Sequence, residues 1–435
     1  MLLAMRAPIV ALCGLVACAH AQPAGDLLER VSRKVLDTVD RLPRYMCTET
    51  IDRFQFEPPP TRVEAPCEPD RRKRPRLTTS DRLRLDVAIS ASHEMYSWVG
   101  ESHFEDRSLF DLVGNGALST GSFSSFLLVV FRTDNTAFSY KGPLTEAGRT
   151  LEEFEFHVPK PMSHYAYSGE GARVTTGYYG DILVDPQTAD LVRLEVHTEG
   201  LPPETGACQT NSTLDYSRLR LNDTDFLLPK RSELEILNAN GVEMRNITVF
   251  SGCHEFLGES TLSFDSAPGP DEAAASKSGA AAGDLPAGLP FRIALDRKID
   301  PASAAAGDRV TAKLTGPIRD GNHRILVPRG AAVSLRILEL RRFYDPVPVV
   351  RMILKPETVE IGGTARPLAA EPDTHPVPVL TGGRMSPGRR TGSVMLVLHD
   401  NQDAHAAVIQ FLNIGMNFVV EGGSESNWFT AARKP

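Results

Sequence analysis

The stretch YYGDILVDPQTADLVRLEV, residues 178–196, carries the clearest structural pattern of the chain. An apolar run ends at Val184, and apolar and polar residues alternate from Leu191 to Val196. A period of two is typical of half-buried antiparallel strands, because successive side chains point to opposite faces of a sheet. Asp185-Pro186-Gln187-Thr188 between them is turn-forming. The stretch therefore predicts two strands joined by a turn.

The same alternation extends outward from Thr136 to Phe264. Short alternating runs occur at residues 137–140, 154–158 and 165–167. Asn and Gly in Leu221-Asn222-Asp223 and Asn238-Ala239-Asn240-Gly241 favour tight hairpins between the last strands. We therefore predict an antiparallel sheet with one polar and one covered face.

Two helices are expected to cover that sheet. Residues 26–42 place one apolar stripe opposite charged positions, which is typical of an amphipathic helix, and Pro43 ends it. Residues 123–131 are apolar on nearly all sides and predict a buried second helix.

The second helix supplies the candidate residues of a ligand cavity. All are large and apolar and lie within one short segment: Phe123, Phe126, Leu127, Val130 and Phe131. Packing of a helix on a sheet also accounts for them, and both interpretations stay open.

A second domain is predicted after residues 266–290, which are rich in Ala, Gly, Ser and Pro and indicate a flexible linker. Short strands at 291–295, 309–314, 324–328 and 332–337 predict a small closed or nearly closed β-barrel within residues 291–435. A short helix around Ala404–Leu412 and a last strand at Asn417–Glu421 complete it. The expected fold is mainly β: an α+β first domain with a half-open antiparallel barrel or curved sheet covered by helices, then a linker and a small barrel.

The amino terminus resembles an export signal, with Arg6 followed by an apolar run and small residues. Leu15-Val16-Ala17-Cys18 has the form of a bacterial lipobox, which predicts cleavage after residue 17 and lipidation of Cys18. Ala19-His20-Ala21 instead fits ordinary signal peptidase, which would cleave after Ala21 and leave Gln22 first. Both alternatives leave a first domain of about residues 22–265 and predict a periplasmic or outer-membrane protein.

Four cysteines lie beyond the signal, an even number that suits an oxidising compartment. The favoured pairing joins Cys47 to Cys67 and Cys208 to Cys253, because the first two cysteines flank one Pro-rich loop. In a plain three-strand meander over residues 210–252, however, Cys208 and Cys253 lie at opposite ends. Cys47 with Cys253 is therefore the rival pairing.

The formal net charge of −8 argues against a nucleic-acid partner. One basic run stands apart, formed by Arg71, Arg72, Lys73, Arg74 and Arg76. In an exported protein it is either a solvated loop or a contact for the phosphates of anionic lipid or lipopolysaccharide.

The chain contains neither a GxSxG elbow nor an HExxH motif, and its Cys and His residues lack zinc spacing. We therefore predict no catalytic residue, no metal and no cofactor, and a non-enzymatic protein.

Residues 178–194, the helix at 26–42 and the later Leu227-Leu228-Pro229 resemble the LolA-like superfamily, which includes lipoprotein carriers and related anti-sigma-factor regulators. The resemblance covers roughly residues 26–265. It implies an incomplete β-barrel closed by a helical lid, with an apolar cavity for acyl chains.

Three further segments, 285–288, 306–308 and 325–330, are similar to the β-barrel domain of TrbI-like type IV secretion scaffold proteins. That similarity covers about residues 285–365 and implies a module used in envelope assemblies. The combined expectation is an envelope protein that binds an apolar ligand, namely lipid or lipoprotein acyl chains, or a segment of an envelope protein. The alternatives are a structural scaffold with a filled core and, third, a hydrolase.

Overall fold

The computed structural model describes residues 18–58, 67, 75–90, 93–101, 104, 109–113, 116–120, 123–132, 136–169, 171–255, 285–374, 394–400, 402–412, 414–415 and 417–432. The helices are α1 Cys18–Arg41, α2 Leu109–Val113 and α3 Ser125–Arg132. The strands of the first half are β1 Tyr45–Glu57, β2 Arg76–Ser90, β3 His93–Trp98, β4 Ala137–Glu146, β5 Arg149–Val158, β6 Ala166–Gly169, β7 Ala172–Thr175, β8 Tyr178–Val184, β9 Leu191–Thr198, β10 Ala207–Leu221, β11 Thr224–Asn238 and β12 Glu243–Glu255. Those of the second half are β13 Pro290–Leu295, β14 Arg309–Leu314, β15 Ile318–Arg319, β16 Ile325–Val327, β17 Ala332–Phe343, β18 Val349–Ile361, β19 Thr364–Pro367, β20 Ala370–Pro372, β21 Val394–His399, β22 Ala407–Leu412 and β23 Glu425–Thr430.

The first half is built on one antiparallel sheet in the order β4-β5-β8-β9-β10-β11-β12-β1-β2-β3. The predicted mainly β fold is confirmed, and the large curved sheet is not closed into a barrel. Among the described strands, β6 and β7 pair with each other alone, as a separate hairpin.

The turns predicted from the sequence are present. Between β8 and β9, the carboxylate of Asp185 accepts hydrogen bonds from the backbone N–H groups of Gln187 and Thr188. Asn222 takes a left-handed conformation in the tight turn after β10, and Gly241 does so after β11. These turns connect β8 to β9, β10 to β11 and β11 to β12.

Helices α1 and α3 cover the inner face of this sheet. Val31 and Val35 of α1 are buried against Val130 of α3 and the apolar residues of β5 and β8–β11. The turn between β8 and β9 anchors α1, because the carbonyl oxygens of Pro186 and Thr188 accept hydrogen bonds from the side chains of Arg30 and Lys34. α1 begins earlier than the sequence predicted. Within the described residues, none of the helices combines the length and the hydrophobicity of a membrane-spanning segment.

The second half continues the sheet in the order β20-β23-β13-β14-β17-β18-β22-β21, around its own apolar core. β2 joins the two halves, since Asp81 and Ser80 pair with Arg341 and Arg342 of β17. The division at residues 266–290 remains a prediction, because residues 256–284 lie outside the described residues.

The carboxy-terminal part differs from the prediction. Residues 407–412 form strand β22 rather than a helix, because they pair along both β18 and β21 in the sheet. The last strand is Glu425–Thr430 rather than Asn417–Glu421, of which only Val420 forms an isolated bridge.

The favoured disulfide pairing is wrong, and the rival is present. Cys47 of β1 is bonded to Cys253 of β12, and Cys67 to Cys208 of β10. β10, β11 and β12 do form a plain meander, so Cys208 at the start of β10 and Cys253 near the end of β12 lie at opposite ends of it. β1 is the direct neighbour of β12, which brings Cys47 to Cys253.

Candidate functional site

The inner face of the first half contains a cavity of about 620 Å³. It lies beyond the packed core, where the β6–β7 hairpin covers the inner face of β10–β12. Its volume falls within the roughly 300–1,000 Å³ typical of small-molecule sites.

The floor of the cavity is apolar. Leu234 and Ile236 of β11 are buried, and Met244 of β12 lies directly opposite Ile236 in the strand register. Alternation along β12 turns Met244, Asn246 and Phe250 inward and leaves Val249 exposed on the outer face.

One wall is aromatic. Phe126 of α3 lies beside Tyr165 and Tyr178, with ring centroids 5.7 and 6.1 Å away. The hydroxyl of Tyr165 forms a hydrogen bond of 2.9 Å with that of Thr210 on the floor. Burial raises the pKa of both tyrosines, so their hydroxyl groups stay protonated.

The opposite wall is the segment 116–120. Asn246 of β12 donates a hydrogen bond of 2.6 Å from its amide nitrogen to the carbonyl oxygen of Ala117. The guanidinium of Arg53, one strand away on β1, lies against the α-carbon of Gly116. Side chains of the sheet therefore hold this wall from below.

The roof is the β6–β7 hairpin. Tyr167 and Val174 pack against the cluster that contains Leu234 and Ile236. Gly169 approaches the neighbouring 3₁₀ turn so closely that a Cβ atom there would collide with the carbonyl oxygen of Thr205. The Cys67–Cys208 disulfide lies two residues beyond Gly206, which also lines the cavity.

The remaining lining includes several polar side chains but no carboxylate among the described residues. Asn238 and Asn240 contribute amides, and within the part of the lining that the structure describes, Arg173 of β7 is the one permanently charged residue. His164 also lines the cavity and forms no hydrogen bond to any other described residue. The arrangement can bind a ligand, and the described lining contains no hydrogen-bonded nucleophile and base.

Of the five predicted cavity residues, Phe126 lines the cavity. Leu127, Val130 and Phe131 pack in the core between α1 and the sheet. Phe123 is buried beneath β1 and β12, with its ring 4.9 Å from that of Phe250.

The other candidate residues lie elsewhere. Arg71, Arg72, Lys73 and Arg74 lie outside the described residues, and Arg76 begins β2, where its Nη1 is 2.8 Å from Oδ1 of Asp345. The backbone of Cys18, Ala21 and Gln22 belongs to the start of α1. No group of three or more His, Cys, Asp or Glu side chains within the described residues could hold a metal ion.

Sequence reasoning missed Arg173, His164 and the floor residues Ile236 and Met244. The alternation in β11 is a signal that could have placed Leu234 and Ile236 on the inner face, but alternation does not distinguish a filled position from a cavity. The position of Arg173 depends on the hairpin folding over β10–β12, which no local pattern encodes.

No family model and no curated protein matches the chain. Among solved structures, it is similar to a DUF1329 family protein from Desulfovibrio piger, at 11% identity and TM-score 0.28, over 56% of this chain and 97% of that one. An outer membrane lipoprotein-sorting protein domain from Vibrio parahaemolyticus matches at 10% identity and TM-score 0.27, over 53% and 92%. MucB matches at 13% identity and TM-score 0.18, over 93% and 94%. Likenesses at such TM-scores establish neither a common family nor a common function.

Proposed function

We propose that the protein is an exported, non-enzymatic component of the bacterial cell envelope that binds an apolar ligand in this cavity. The ligand is an acyl chain or a hydrophobic segment of a lipoprotein or envelope protein. The observation that carries the proposal is the cavity itself, whose floor of Leu234, Ile236 and Met244 is left uncovered by α1 and α3. Burying an acyl chain there is favourable by roughly 25 cal/mol per Å² of apolar surface.

Two disulfides support export, because such bonds persist outside the reducing cytoplasm. The signal peptide of residues 1–21, or 1–17 with lipidation of Cys18, belongs to the same proposal. Intact mass of the mature protein from its host tests it. A diacylated Cys18 or a free Gln22 at the amino terminus supports export, whereas an unprocessed Met1 contradicts it.

The cavity is tested by filling it. Met244→Trp places an indole over the floor, and Val249→Trp adds the same group to the outer face of the same strand as a matched control. Native mass spectrometry of each protein, purified without detergent and incubated with dodecanol, measures the bound fraction. We expect dodecanol bound to wild type and Val249→Trp and lost from Met244→Trp. Equal occupancy in all three proteins, or none in wild type, contradicts a ligand cavity and favours the structural scaffold.

A further inference from the structure

The charge of the cavity differs from that of the whole chain. The chain carries 55 acidic residues against 47 Lys and Arg, yet the described lining holds no Asp or Glu. Arg173 therefore sets the sign of the local charge. A site in an acidic protein that excludes carboxylates and presents a guanidinium is complementary to an anion.

Arg173 has no protein partner among the described residues. Neither a carboxylate nor a carbonyl oxygen there accepts a hydrogen bond from its guanidinium, which is exposed at the mouth of the cavity. Other arginines of the first half, such as Arg193 and Arg245 on the outer face, are paired with carboxylates. The five N–H donors of Arg173 are thus available to a ligand.

A second donor lies directly beside Arg173. Ser168 of β6 is its partner in the hairpin register, and both residues line the cavity. Directly opposite residues in an antiparallel pair have Cβ atoms about 5 Å apart. A guanidinium and a hydroxyl at that separation can bind two oxygens of one carboxylate or phosphate.

The polar mouth and the apolar floor belong to one cavity. Phe126, Ile236 and Met244 offer apolar surface in its interior. Ser168 and Arg173 lie on the exposed face of the hairpin, opposite the face of Tyr167 and Val174, and line the rim of the same cavity. A ligand that satisfies both parts has an apolar chain and an anionic end.

We propose that the cavity binds a single-chain amphiphile whose anionic end group, a carboxylate or a phosphate, is held by Arg173 and Ser168. This inference rests on the proposed function, because it names the ligand class of the same cavity. It excludes a purely neutral lipid and a cationic amphiphile as the preferred ligand.

The test compares probes that share one tail, namely dodecanoate, dodecyl phosphate, dodecanol and dodecylamine, by isothermal titration calorimetry at low salt. Wild type should bind one or both anionic probes at least about tenfold more tightly than dodecanol, which corresponds to about 1.4 kcal/mol. Preference for dodecanoate or for dodecyl phosphate identifies the end group. Dodecylamine should bind most weakly, because its ammonium faces the guanidinium.

Arg173→Gln should abolish this preference, so that the affinity of the variant for each anionic probe falls to its affinity for dodecanol. Arg366→Gln is the matched control, since Arg366 is also an exposed strand arginine but lies outside the cavity. Dodecanol binding equal to that of the anions in wild type, or an anion preference that survives in Arg173→Gln, overturns the inference and leaves the cavity proposal intact. Failure of every probe overturns both proposals.

Discussion

Two regions of the first sheet differ in how their arginine side chains are paired. One is the junction between β2 and the second half, and the other is the cavity under the β6–β7 hairpin. In the junction, Arg53 and Arg341 share the buried carboxylate of Asp81. At the cavity, Arg173 has no carboxylate within the described lining. A buried charge must be paired because its desolvation costs several kcal/mol, whereas an exposed one needs no partner. The junction charges therefore serve the fold, and Arg173 is available for a ligand.

Asp81→Asn should have the largest effect on stability. The Asp81 side chain is 6% exposed and that of Arg53 9%, with Nε and Oδ1 2.6 Å apart. Removing the carboxylate charge takes a counter-ion away from the buried guanidinium of Arg53 and weakens the ion pair that Arg341 forms with the same side chain. We expect a loss of about 3–5 kcal/mol in the free energy of unfolding, measured by urea denaturation.

The control is Glu29→Gln, which removes a carboxylate from the exposed i,i+4 pair with Arg33 on α1. This change should cost no more than about 0.5 kcal/mol. If Asp81→Asn lowers the free energy of unfolding as little as Glu29→Gln does, then burial does not make the junction ion pairs more stabilising than those at the surface.

Two adjacent valines on α3 test the boundary between core and cavity. Val130 is fully buried in the core, whereas Val129 is partly exposed and lines the cavity. Val130→Ala should cost about 2 kcal/mol, because it removes buried methyl groups and leaves a void. Val129→Ala should cost less than half of that in the same thermal and urea unfolding measurements. Equal losses of unfolding free energy in the two variants would mean that the cavity is closed in solution.

Much of the first sheet followed from sequence because its signals are local. The turn at Asp185 and the tight turn at Asn222 both lie where turn-forming residues predicted them. The pairing of β8 with β9 and of β10 with β11 follows from these turns, since short connections force antiparallel neighbours. The prediction of a helix over residues 404–412 was wrong, because a short apolar run is equally typical of a buried strand.

The strands β1–β3 were missed for an identifiable reason. The inward positions of β1 include Glu49 and Arg53, which interrupt the apolar alternation. β2 does alternate at Leu83, Leu85 and Val87, and that signal was available. Without β1 beside β12, no local argument brings Cys47 to Cys253, and sequence proximity favoured the wrong disulfides.

Glu49→Gln should change how stability depends on pH. Glu49 is buried in β1, and burial, followed by the nearby Glu94, raises its pKa well above the ordinary 4.5. The native state therefore binds its proton more tightly than the unfolded chain does. Its contribution to stability is present below the unfolded pKa and is lost as pH rises towards the native pKa, by at most about 1.4 kcal/mol per pH unit.

The Gln variant lacks this titration, so it should gain stability relative to wild type as the pH rises above the ordinary carboxyl pKa of 4.5. Urea denaturation at several pH values measures the two slopes. Glu94→Gln serves as the comparison, because it removes the neighbouring charge but leaves Glu49 buried. Parallel pH profiles for wild type and Glu49→Gln would mean that Glu49 is ionised and balanced in the native protein.

Arg76→Gln should have the smallest effect, although Arg76 also bridges the two halves. Its side chain is 56% exposed and that of its partner Asp345 35%, so water and salt screen the pair. We expect a loss of about 0.5 kcal/mol that disappears at high salt, and a similar loss for Asp345→Asn. The double variant should lose little more unfolding free energy than either single variant, because both single changes remove the same ion pair. The contrary result is a loss of unfolding free energy that persists at high salt and approaches that of Asp81→Asn. It would mean that the pairing of β2 with β17, rather than the burial of each charge, determines how much a junction residue contributes to stability.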